Sequence, residues 1–130
     1  MFRTLMKSKI HGAEVTETNL DYAGSISIDE SLMEASDLVC NERVQVLDLD
    51  NGARLETYVI PAPPGSGIIG INGAAAHLVS TGDRVIIIAY AMIDDGERDG
   101  FQPKVLLMDA ENRILRVKRS ETHGPVFLGR

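Results

Sequence analysis

A glycine followed by a serine, Gly24-Ser25, is the pair of residues in this chain with the most distinctive potential chemistry. A serine hydroxyl can attack the carbonyl of the residue before it when the backbone is strained, and glycine at the acyl side adopts conformations that other residues resist. The amide then becomes an ester, and β-elimination leaves dehydroalanine, which hydrolyses to a pyruvoyl group and ammonia. A plain turn between two strands is the alternative interpretation, since both residues are common in turns.

Lys9 and His11 form a second candidate group. They lie two positions apart in a predicted strand, so both side chains point to the same face. Lysine binds anions as a point charge, and histidine can orient a group or relay a proton. The alternative is a solvated strand face without a specific role.

Arg54, Thr57 and Tyr58 could supply three further functions. Arginine grips a carboxylate with two hydrogen bonds, threonine can donate to a carbonyl oxygen that gains charge, and tyrosine can protonate a carbanion-like carbon. A regular strand puts Arg54 and Tyr58 on one face and Thr57 on the other, so a β-bulge or a barrel corner is needed to unite them. An exposed hairpin arm is the alternative interpretation.

The run Asn72-Gly73-Ala74-Ala75 is a candidate anion cradle. The start of a helix leaves backbone N–H groups free, and small side chains let a ligand approach them. The alternative is that Asn72 is an ordinary helix N-cap. His77 has no visible partner in the sequence and receives no role.

Short strands separated by turns must position these residues. Apolar alternation predicts strands over residues 3–17, 25–28, 43–49, 53–60, 68–71, 84–93, 104–108 and 113–117. Asp29 is expected to cap a helix over residues 30–36, and residues 72–77 are expected to form one helical turn. The pattern indicates a small β-barrel or sandwich and does not choose between them.

Two turn signals punctuate the middle of the chain. Asp50-Asn51-Gly52 predicts a hairpin, because asparagine and glycine both tolerate positive φ. The proline-rich residues 61–67 are expected to form a loop, because proline cannot continue a strand ladder.

Composition excludes several function classes. The 130 residues carry a net charge of −6, which argues against a nucleic-acid binder but not against a small anionic substrate. Cys40 is the only cysteine, so we expect no disulfide, no zinc or other metal site and a reducing cytoplasm. The beginning of the chain does not resemble a signal peptide, and residues 85–93 are too short an apolar run to span a membrane.

Together, the candidate residues resemble the bacterial family of pyruvoyl-dependent aspartate decarboxylases. The matching stretches are Lys9-Ile10-His11, Tyr22-Ala23-Gly24-Ser25-Ile26, Asn51-Gly52-Ala53-Arg54-Leu55-Glu56-Thr57-Tyr58 and Ile71-Asn72-Gly73-Ala74-Ala75-Ala76-His77. The resemblance runs from residue 1 to about residue 117, and the tail at 118–130 matches nothing in the family pattern.

The resemblance implies a mainly β fold, a small double-psi β-barrel with short helices, in a single domain over residues 1–117. It implies a homotetramer with active sites between neighbouring subunits. It also implies autocatalytic cleavage of a zymogen after Gly24, into a β chain of residues 1–24 and an α chain of residues 25–130. Whether an accessory maturation protein takes part stays open.

The implied reaction is the decarboxylation of L-aspartate to β-alanine and CO₂, for pantothenate biosynthesis. Ser25 supplies a covalent pyruvoyl cofactor that holds the substrate as a Schiff base, Thr57 assists self-cleavage and Tyr58 donates a proton. The implied substrate-binding residues are Lys9, His11, Tyr22, Arg54, Thr57, Asn72, Gly73, Ala74 and Ala75. A pyruvoyl decarboxylase for another amino acid is a further alternative, but the paired cations Lys9 and Arg54 favour a dicarboxylic substrate over a cationic one such as arginine or histidine. A non-maturing β-barrel that binds an anion or a protein is the alternative.

Overall fold

A computed structural model describes residues 1–128 of the chain. In this part of the chain the strands β1 to β9 span, in order, Phe2–Glu14, Glu17–Asn19, Ser25–Asp29, Arg43–Asp48, Arg54–Ala62, Ile69–Asn72, Arg84–Asp94, Lys104–Met108 and Ile114–Lys118. One α-helix, α1, spans Glu30–Ser36, and two 3₁₀ helices span Gly73–His77 and Asp95–Gly100. Among the described residues no helix is both long and apolar enough to cross a membrane.

The strands form one sheet that closes on itself. Their order is β2-β6-β3-β5-β4-β7-β1-β8-β9. Only Val15 and Thr16 separate β1 from β2, so the chain itself joins the seventh strand of this order to the first. The strand pairs β1–β8, β2–β6 and β3–β5 run parallel. The predicted class, a mainly β double-psi barrel with short helices, is confirmed in its β content, its closure and its parallel pairs.

Aliphatic side chains fill the barrel, as the scarcity of aromatic residues requires. Buried positions alternate with more exposed ones along β4 and the first half of β7, as in a sheet with one buried face, whereas β6 is buried at every position. Fully buried members of this core include Ile10, Ile26, Ile28, Val46, Val59, Ile69, Ile71, Ile87 and Leu106. The outward face of the same strands carries most of the candidate functional residues.

Asp29 fixes the junction between β3 and α1. Its carboxylate accepts hydrogen bonds from the backbone N–H of Ser31, as the predicted N-cap should, and also from Gly65 and Gly67. Burial alone would raise the pKa of Asp29, but the hydrogen bonds from Gly67, Gly65 and Ser31 outweigh it and lower that pKa. This one side chain therefore joins the strand that begins at Ser25 to the loop before β6.

The hairpin β4–β5 forms where Asp50-Asn51-Gly52 predicted it. Only Gly52 of this turn has a positive φ, at 77°, whereas the prediction gave that role to Asn51 as well. The Asp48 side chain stabilises the turn instead. Its Oδ1 accepts hydrogen bonds from the backbone N–H groups of Asp50 and Asn51.

The prediction that residues 61–67 form a loop is wrong at its start. Strand β5 continues through Pro61 to Ala62, paired in parallel with β3. Strand β4 pairs with β5 as far as Tyr58, and Asn41 and Glu42 before β4 bond to Val59, so this edge of β5 is free only beyond Val59. A proline is tolerated there because its missing N–H removes no ladder bond on the free side.

Beyond Lys118 the described part of the chain contains no helix or strand, as predicted for the tail. The tail nevertheless contacts β1 at two points. Glu121 pairs with Lys9, and the side chain of Leu128 lies so close to Gly12 that a Cβ there would be 2.5 Å from Leu128 Cδ1. The tail therefore lies across the second half of β1.

Candidate active site

Ser25 is the first residue of β3 and is 1% exposed, whereas Ala23 and Gly24 before it are exposed. Its Oγ donates to the carbonyl oxygen of Ala23 at 3.2 Å and accepts from Asn72 Nδ2 at 3.0 Å. Residue 25 is an intact serine, so this geometry belongs to the uncleaved chain. The hydroxyl is thus buried and held from two sides, directly beside an exposed peptide bond.

Asn72 does not act as an N-cap. It precedes the 3₁₀ helix Gly73–His77, but its side chain makes no capping hydrogen bond. Its Nδ2 instead donates to Ser25 Oγ and, at 2.9 Å, to Ser27 Oγ, and the residue is 1% exposed. The interpretation of Asn72 as an ordinary cap is therefore wrong, because strand pairing with Ser25 turns its amide toward β3.

Three residues that sequence reasoning missed complete this cluster: Glu17, Asn19 and Ser27. Asn19 Nδ2 donates to Asn72 Oδ1 at 3.1 Å and to Glu17 Oε2 at 2.7 Å. Asn19 and Glu17 come from the three-residue strand β2, which pairs in parallel with β6. No local motif marks these positions, and only the strand pairing reveals their proximity to Ser25.

Gly73 brings the start of the 3₁₀ helix against the peptide before Ser25. Its φ is 74°, in the left-handed region that favours glycine. A Cβ at this position would lie 2.7 Å from Gly24 Cα, 3.0 Å from Gly24 N and 3.3 Å from the carbonyl oxygen of Tyr22. The predicted cradle of small residues is thus in contact with the candidate scissile bond through Gly73.

The other members of the cradle are less enclosed. Ala74 is exposed, Ala75 is half-buried and packs partly against the core, and His77 is exposed. The short Gly73–His77 helix offers few free N–H groups to an anion. The small side chains matter here mainly because they leave space for a ligand.

The backbone at Gly24 lacks the strain that sequence reasoning associated with it. Its φ lies outside the left-handed region, and a Cβ at Gly24 would meet nothing within 4 Å. The geometry of the uncleaved chain therefore tolerates a side chain at this position. The close packing around the candidate scissile bond comes from the Gly73 side, where a Cβ would meet the Gly24 backbone.

Arg54 and Tyr58 point outward from β5, and Thr57 points inward. The register between β4 and β5 is regular from Arg54 to Tyr58, so the bulge suggested by the sequence is not present. Ile26 pairs with Val59, and the register therefore places Ser25 beside Tyr58, one residue earlier on each strand. The structure brings Tyr58 to the Ser25 face and leaves Thr57 on the opposite face of the same strand.

Lys9 and His11 share one face of β1, as predicted, and both are half-buried. Lys9 Nζ lies 2.9 Å from Glu121 Oε2 of the tail. Burial and then the charge of Lys9 lower the pKa of His11, while the Glu121 carboxylate raises it in part. His11 Nδ1 is buried and has no hydrogen-bond partner among the described residues. The ring is therefore held neutral near pH 7.

Lys9 and Ser25 lie on strands that are not paired with one another. In one direction around the sheet, β7, β4 and β5 separate β1 from β3. In the other direction, β1 leads through Val15 and Thr16 into β2, and β6 separates β2 from β3. Lys9 pairs with Glu121, whereas Ser25 Oγ bonds to Ala23 and Asn72.

Tyr22 belongs to a shallow cavity of about 350 Å³ near the cluster. Its side chain is 60% exposed, and its N–H donates to the carbonyl oxygen of Asn19. The cavity is lined by Thr18, Asn19, Leu20, Asp21, Tyr22 and Ala76. It offers an open approach to the exposed peptide before Ser25.

Three carboxylates that could hold a cation lie elsewhere, at the β4–β5 turn. One oxygen each of Asp48, Asp50 and Asp83 lies within 4.8 Å of the others. Burial, followed by the neighbouring Asp83 carboxyl group, raises the pKa of Asp48, and the Asp48 carboxyl group lowers the pKa of Asp83. Asp48 Oδ2 is buried and has no hydrogen-bond partner among the described residues.

Comparison with known protein families gives one match over most of the chain. The family model described as "Aspartate decarboxylase" matches residues 1–115. An aspartate 1-decarboxylase from Carboxydothermus hydrogenoformans is 58% identical over 95% of this chain and 98% of its own length. The protein of the same name from Pelotomaculum thermopropionicum is 58% identical over 96% of this chain and 95% of its own.

Comparison with solved structures gives matches to designed double-psi β-barrels over part of the chain. A rationally designed barrel has a TM-score of 0.45 at 17% identity and covers 59% of this chain and 90% of its own. A computationally designed barrel has a TM-score of 0.44 at 17% identity and covers 65% of this chain and 96% of its own.

Proposed function

The chain belongs to the aspartate decarboxylase family and is a lyase that decarboxylates L-aspartate, and from this premise we propose that the carbonyl group it needs is a pyruvoyl group made from its own Ser25. The observation that carries the proposal is the environment of Ser25 Oγ, a buried hydroxyl that accepts from Asn72 Nδ2 beside an exposed peptide bond. In this proposal the chain is cleaved after Gly24 into residues 1–24 and 25–130.

The cleavage uses groups of the chain itself. Ser25 Oγ attacks the carbonyl carbon of Gly24, the C–N bond breaks, and an ester replaces the amide. Removal of the proton from Ser25 Cα then breaks the Cβ–O bond, which frees the Gly24 carboxylate and leaves dehydroalanine. Water converts this residue to a pyruvoyl group and releases ammonia. Asn72 Nδ2 holds the oxygen that attacks, and a donor near the Gly24 carbonyl would stabilise its developing charge.

The residues around Ser25 fit a ketone-like group at this position. Asn72 Nδ2 lies beside residue 25, although the Ser25 Oγ that it contacts in the precursor leaves with the Gly24 carboxylate, and Gly73 keeps side chains away from the peptide before residue 25. A pyruvoyl group supplies an electron sink for the electrons released on loss of CO₂, as other carbonyl cofactors do. Tyr58 lies beside residue 25 on the outward face, so its hydroxyl is the proton donor in this proposal.

The substrate carboxylates are held by cations of β1 and β5. Arg54 lies on the outward face of β5 with Tyr58 and is exposed, so its guanidinium is free to bind the carboxylate that the product keeps. Gripping the departing carboxylate tightly would stabilise the ground state and oppose the reaction, so Lys9 is the weaker contact to that group.

We propose a homotetramer with shared sites. Lys9 and His11 lie on β1, which does not pair with β3, and in this proposal they serve Ser25 of a neighbouring chain. Thr57, which faces away from Ser25 in its own subunit, would assist self-cleavage in the same way. Tyr22 and the cradle Asn72 to Ala75 would line the site from the Ser25 side.

The product, β-alanine, is the precursor that pantothenate biosynthesis consumes, and we place the enzyme in the cytoplasm. An exposed free thiol at Cys40 fits a reducing compartment.

An assay of β-alanine and CO₂ formation from L-aspartate tests the proposal. Ser25→Ala should lose all activity and all reaction with carbonyl reagents such as hydroxylamine. Ser27→Ala is the matched control, because Ser27 Oγ accepts from the same Asn72 Nδ2 but lies two residues further along β3. It should keep both properties. Activity in Ser25→Ala would contradict the proposal.

A further inference from the structure

Asn72 can help Ser25 only if its amide points the right way, and its own environment decides that orientation. The Nδ2 group has two hydrogens, and they are directed at Ser25 Oγ and Ser27 Oγ. Rotating the amide by half a turn would place its carbonyl oxygen against these hydroxyls and remove the donor from Ser25. Only one of the two amide orientations therefore offers Ser25 Oγ a hydrogen-bond donor.

Asn19 fixes this choice. Its Nδ2 lies 3.1 Å from Asn72 Oδ1 and can only donate, so the Asn72 oxygen must face β2. A rotated Asn72 would bring two NH₂ groups against one another. Asn72 is 1% exposed, so water cannot relieve that conflict, and a buried unpaired amide is costly.

Glu17 fixes Asn19 in turn. Its Oε2 accepts from the same Asn19 Nδ2 at 2.7 Å, and both hydrogens of that amide are then used. A carboxylate without its proton can only accept hydrogen bonds. The Asn19 amide atom that faces Glu17 must therefore be the nitrogen.

Strand pairing holds these groups in two adjacent rows. Asn19, Asn72 and Ser25 are paired across β2, β6 and β3, and Glu17, Gly70 and Ser27 form the row two residues away. Gly70 leaves room for the glutamate, because a Cβ there would lie 3.0 Å from Glu17 Cγ. The path from Glu17 to Ser25 is thus a continuous chain of hydrogen bonds on one face of the sheet.

From this geometry we propose that Asn19, oriented by Glu17, is a positioning residue for self-cleavage: it sets the Asn72 amide so that Asn72 donates to Ser25 Oγ. The proposal rests on the proposed function of Ser25 and adds two residues to it. It assigns to Glu17 and Asn19 no contact with the substrate.

The test is the rate at which freshly purified precursor is cleaved, followed by denaturing mass spectrometry. Asn19→Leu preserves side-chain size and removes both donors, and it should slow cleavage about 10- to 100-fold, the range seen when an orienting partner is lost. Thr18→Val is the matched control on the same strand, because Thr18 makes no hydrogen bond to Asn72, and it should cleave at the wild-type rate. Asn19→Leu leaves Asn72 Oδ1 buried and unpaired, so its unfolding midpoint should fall, and cleavage is measured at a temperature at which both precursors are fully folded.

A double-mutant cycle separates positioning from a general effect on the fold. In an Asn72→Ala background, Asn19→Leu should cause no further slowing, because the group that it orients is absent. If Asn72→Ala abolishes cleavage outright, the comparison of Asn19→Leu with Thr18→Val under conditions in which both precursors are fully folded decides.

Gly70→Ala gives a second route if Asn19→Leu does not fold. The added methyl group displaces Glu17 and should slow cleavage in the same direction. Wild-type cleavage rates in the folded Asn19→Leu or Gly70→Ala variants would overturn this inference but not the proposed function. Equal slowing by Asn19→Leu with and without the Asn72 side chain would do the same. A wild-type precursor that is never cleaved would overturn the proposed function and this inference with it.

Discussion

Gly73 lies directly against Gly24: a Cβ on Gly73 would be 2.7 Å from Gly24 Cα, closer than real Cβ contacts allow. The loop that carries the candidate scissile bond and the start of the Gly73–His77 helix therefore share one packed surface. Ser25 and Asn72, the residues that adjoin these two glycines, are paired across β3 and β6. The backbone contact and the side-chain hydrogen bond thus hold the same two segments together.

Replacing Gly73 with alanine should destabilise the precursor and slow its cleavage. The φ of 74° disfavours any side chain, and the new methyl group must displace the Gly24 backbone. We expect a loss of about 1–3 kcal/mol in the free energy of unfolding for the strained backbone. Thermal unfolding and the rate of cleavage measure the two effects.

Gly52→Ala is the matched control for this change. Gly52 has nearly the same φ, 77°, but a Cβ there would meet nothing within 4 Å. It should show the loss of stability caused by φ alone and cleave normally. Equal cleavage rates in the two variants would mean that the Gly73–Gly24 contact has no role in self-cleavage.

Arg54→Ala should mature normally and bind aspartate poorly. Loss of a charged hydrogen-bonding partner for the retained carboxylate should raise KM by about 10- to 100-fold. Arg43→Ala is the control, since Arg43 is also exposed beside β5 but is paired with Glu56. Steady-state kinetics on the cleaved enzymes give both values. An unchanged KM in Arg54→Ala would show that another residue anchors the substrate.

Glu121→Gln should make Lys9 more available to the substrate. The tail carboxylate lies 2.9 Å from Lys9 Nζ, so an incoming carboxylate competes with it. Since the pair is partly exposed, we expect KM for aspartate to fall by no more than about fivefold. Glu111→Gln, a control on the β8–β9 turn, should have no effect on KM.

The same variant should lower the pKa of His11 further, because the Glu121 carboxylate is the group that raises it. An NMR titration of the His11 ring measures this directly. A pKa that rises or stays constant would show that the tail does not lie beside His11 in solution.

Asp29→Asn should destabilise the fold at neutral pH and not in strong acid. The folded pKa of Asp29 is lowered from its ordinary value of 3.8, so its contribution to stability is present above that value and is lost as the pH falls through the folded pKa. We expect a loss of about 1–3 kcal/mol at pH 7, because the amide nitrogen of asparagine cannot accept the hydrogen bond from Gly67. Denaturant unfolding across acid pH checks this, and a pH-independent loss would contradict it.

Regular elements of this fold could be predicted because each carries a local signal. A continuous apolar run, residues 85–93, marked β7, and Asp29 marked the start of α1. The extension of β5 through Pro61 could not be predicted, because it depends on where the neighbouring strand β4 stops.

The candidate site also contains both residues that could be predicted from the sequence and residues that could not. Ser25 and Asn72 stood out by their types and surroundings, but their hydrogen bond depends on an antiparallel pairing 47 residues apart in the chain. Asn19 lies in a strand of three residues, too short for any periodicity to mark it. Its place beside Asn72 follows only from the closed barrel.

The mass of the purified chain under denaturing conditions tests the central claim most directly. We predict two fragments that divide after Gly24, with the larger one lighter by one ammonia than a fragment that begins with serine. Ser25→Ala should give a single intact chain. A wild-type protein that remains one intact chain after prolonged warm incubation, or a larger fragment that still begins with serine while aspartate is decarboxylated, would contradict the claim that Ser25 becomes the catalytic carbonyl.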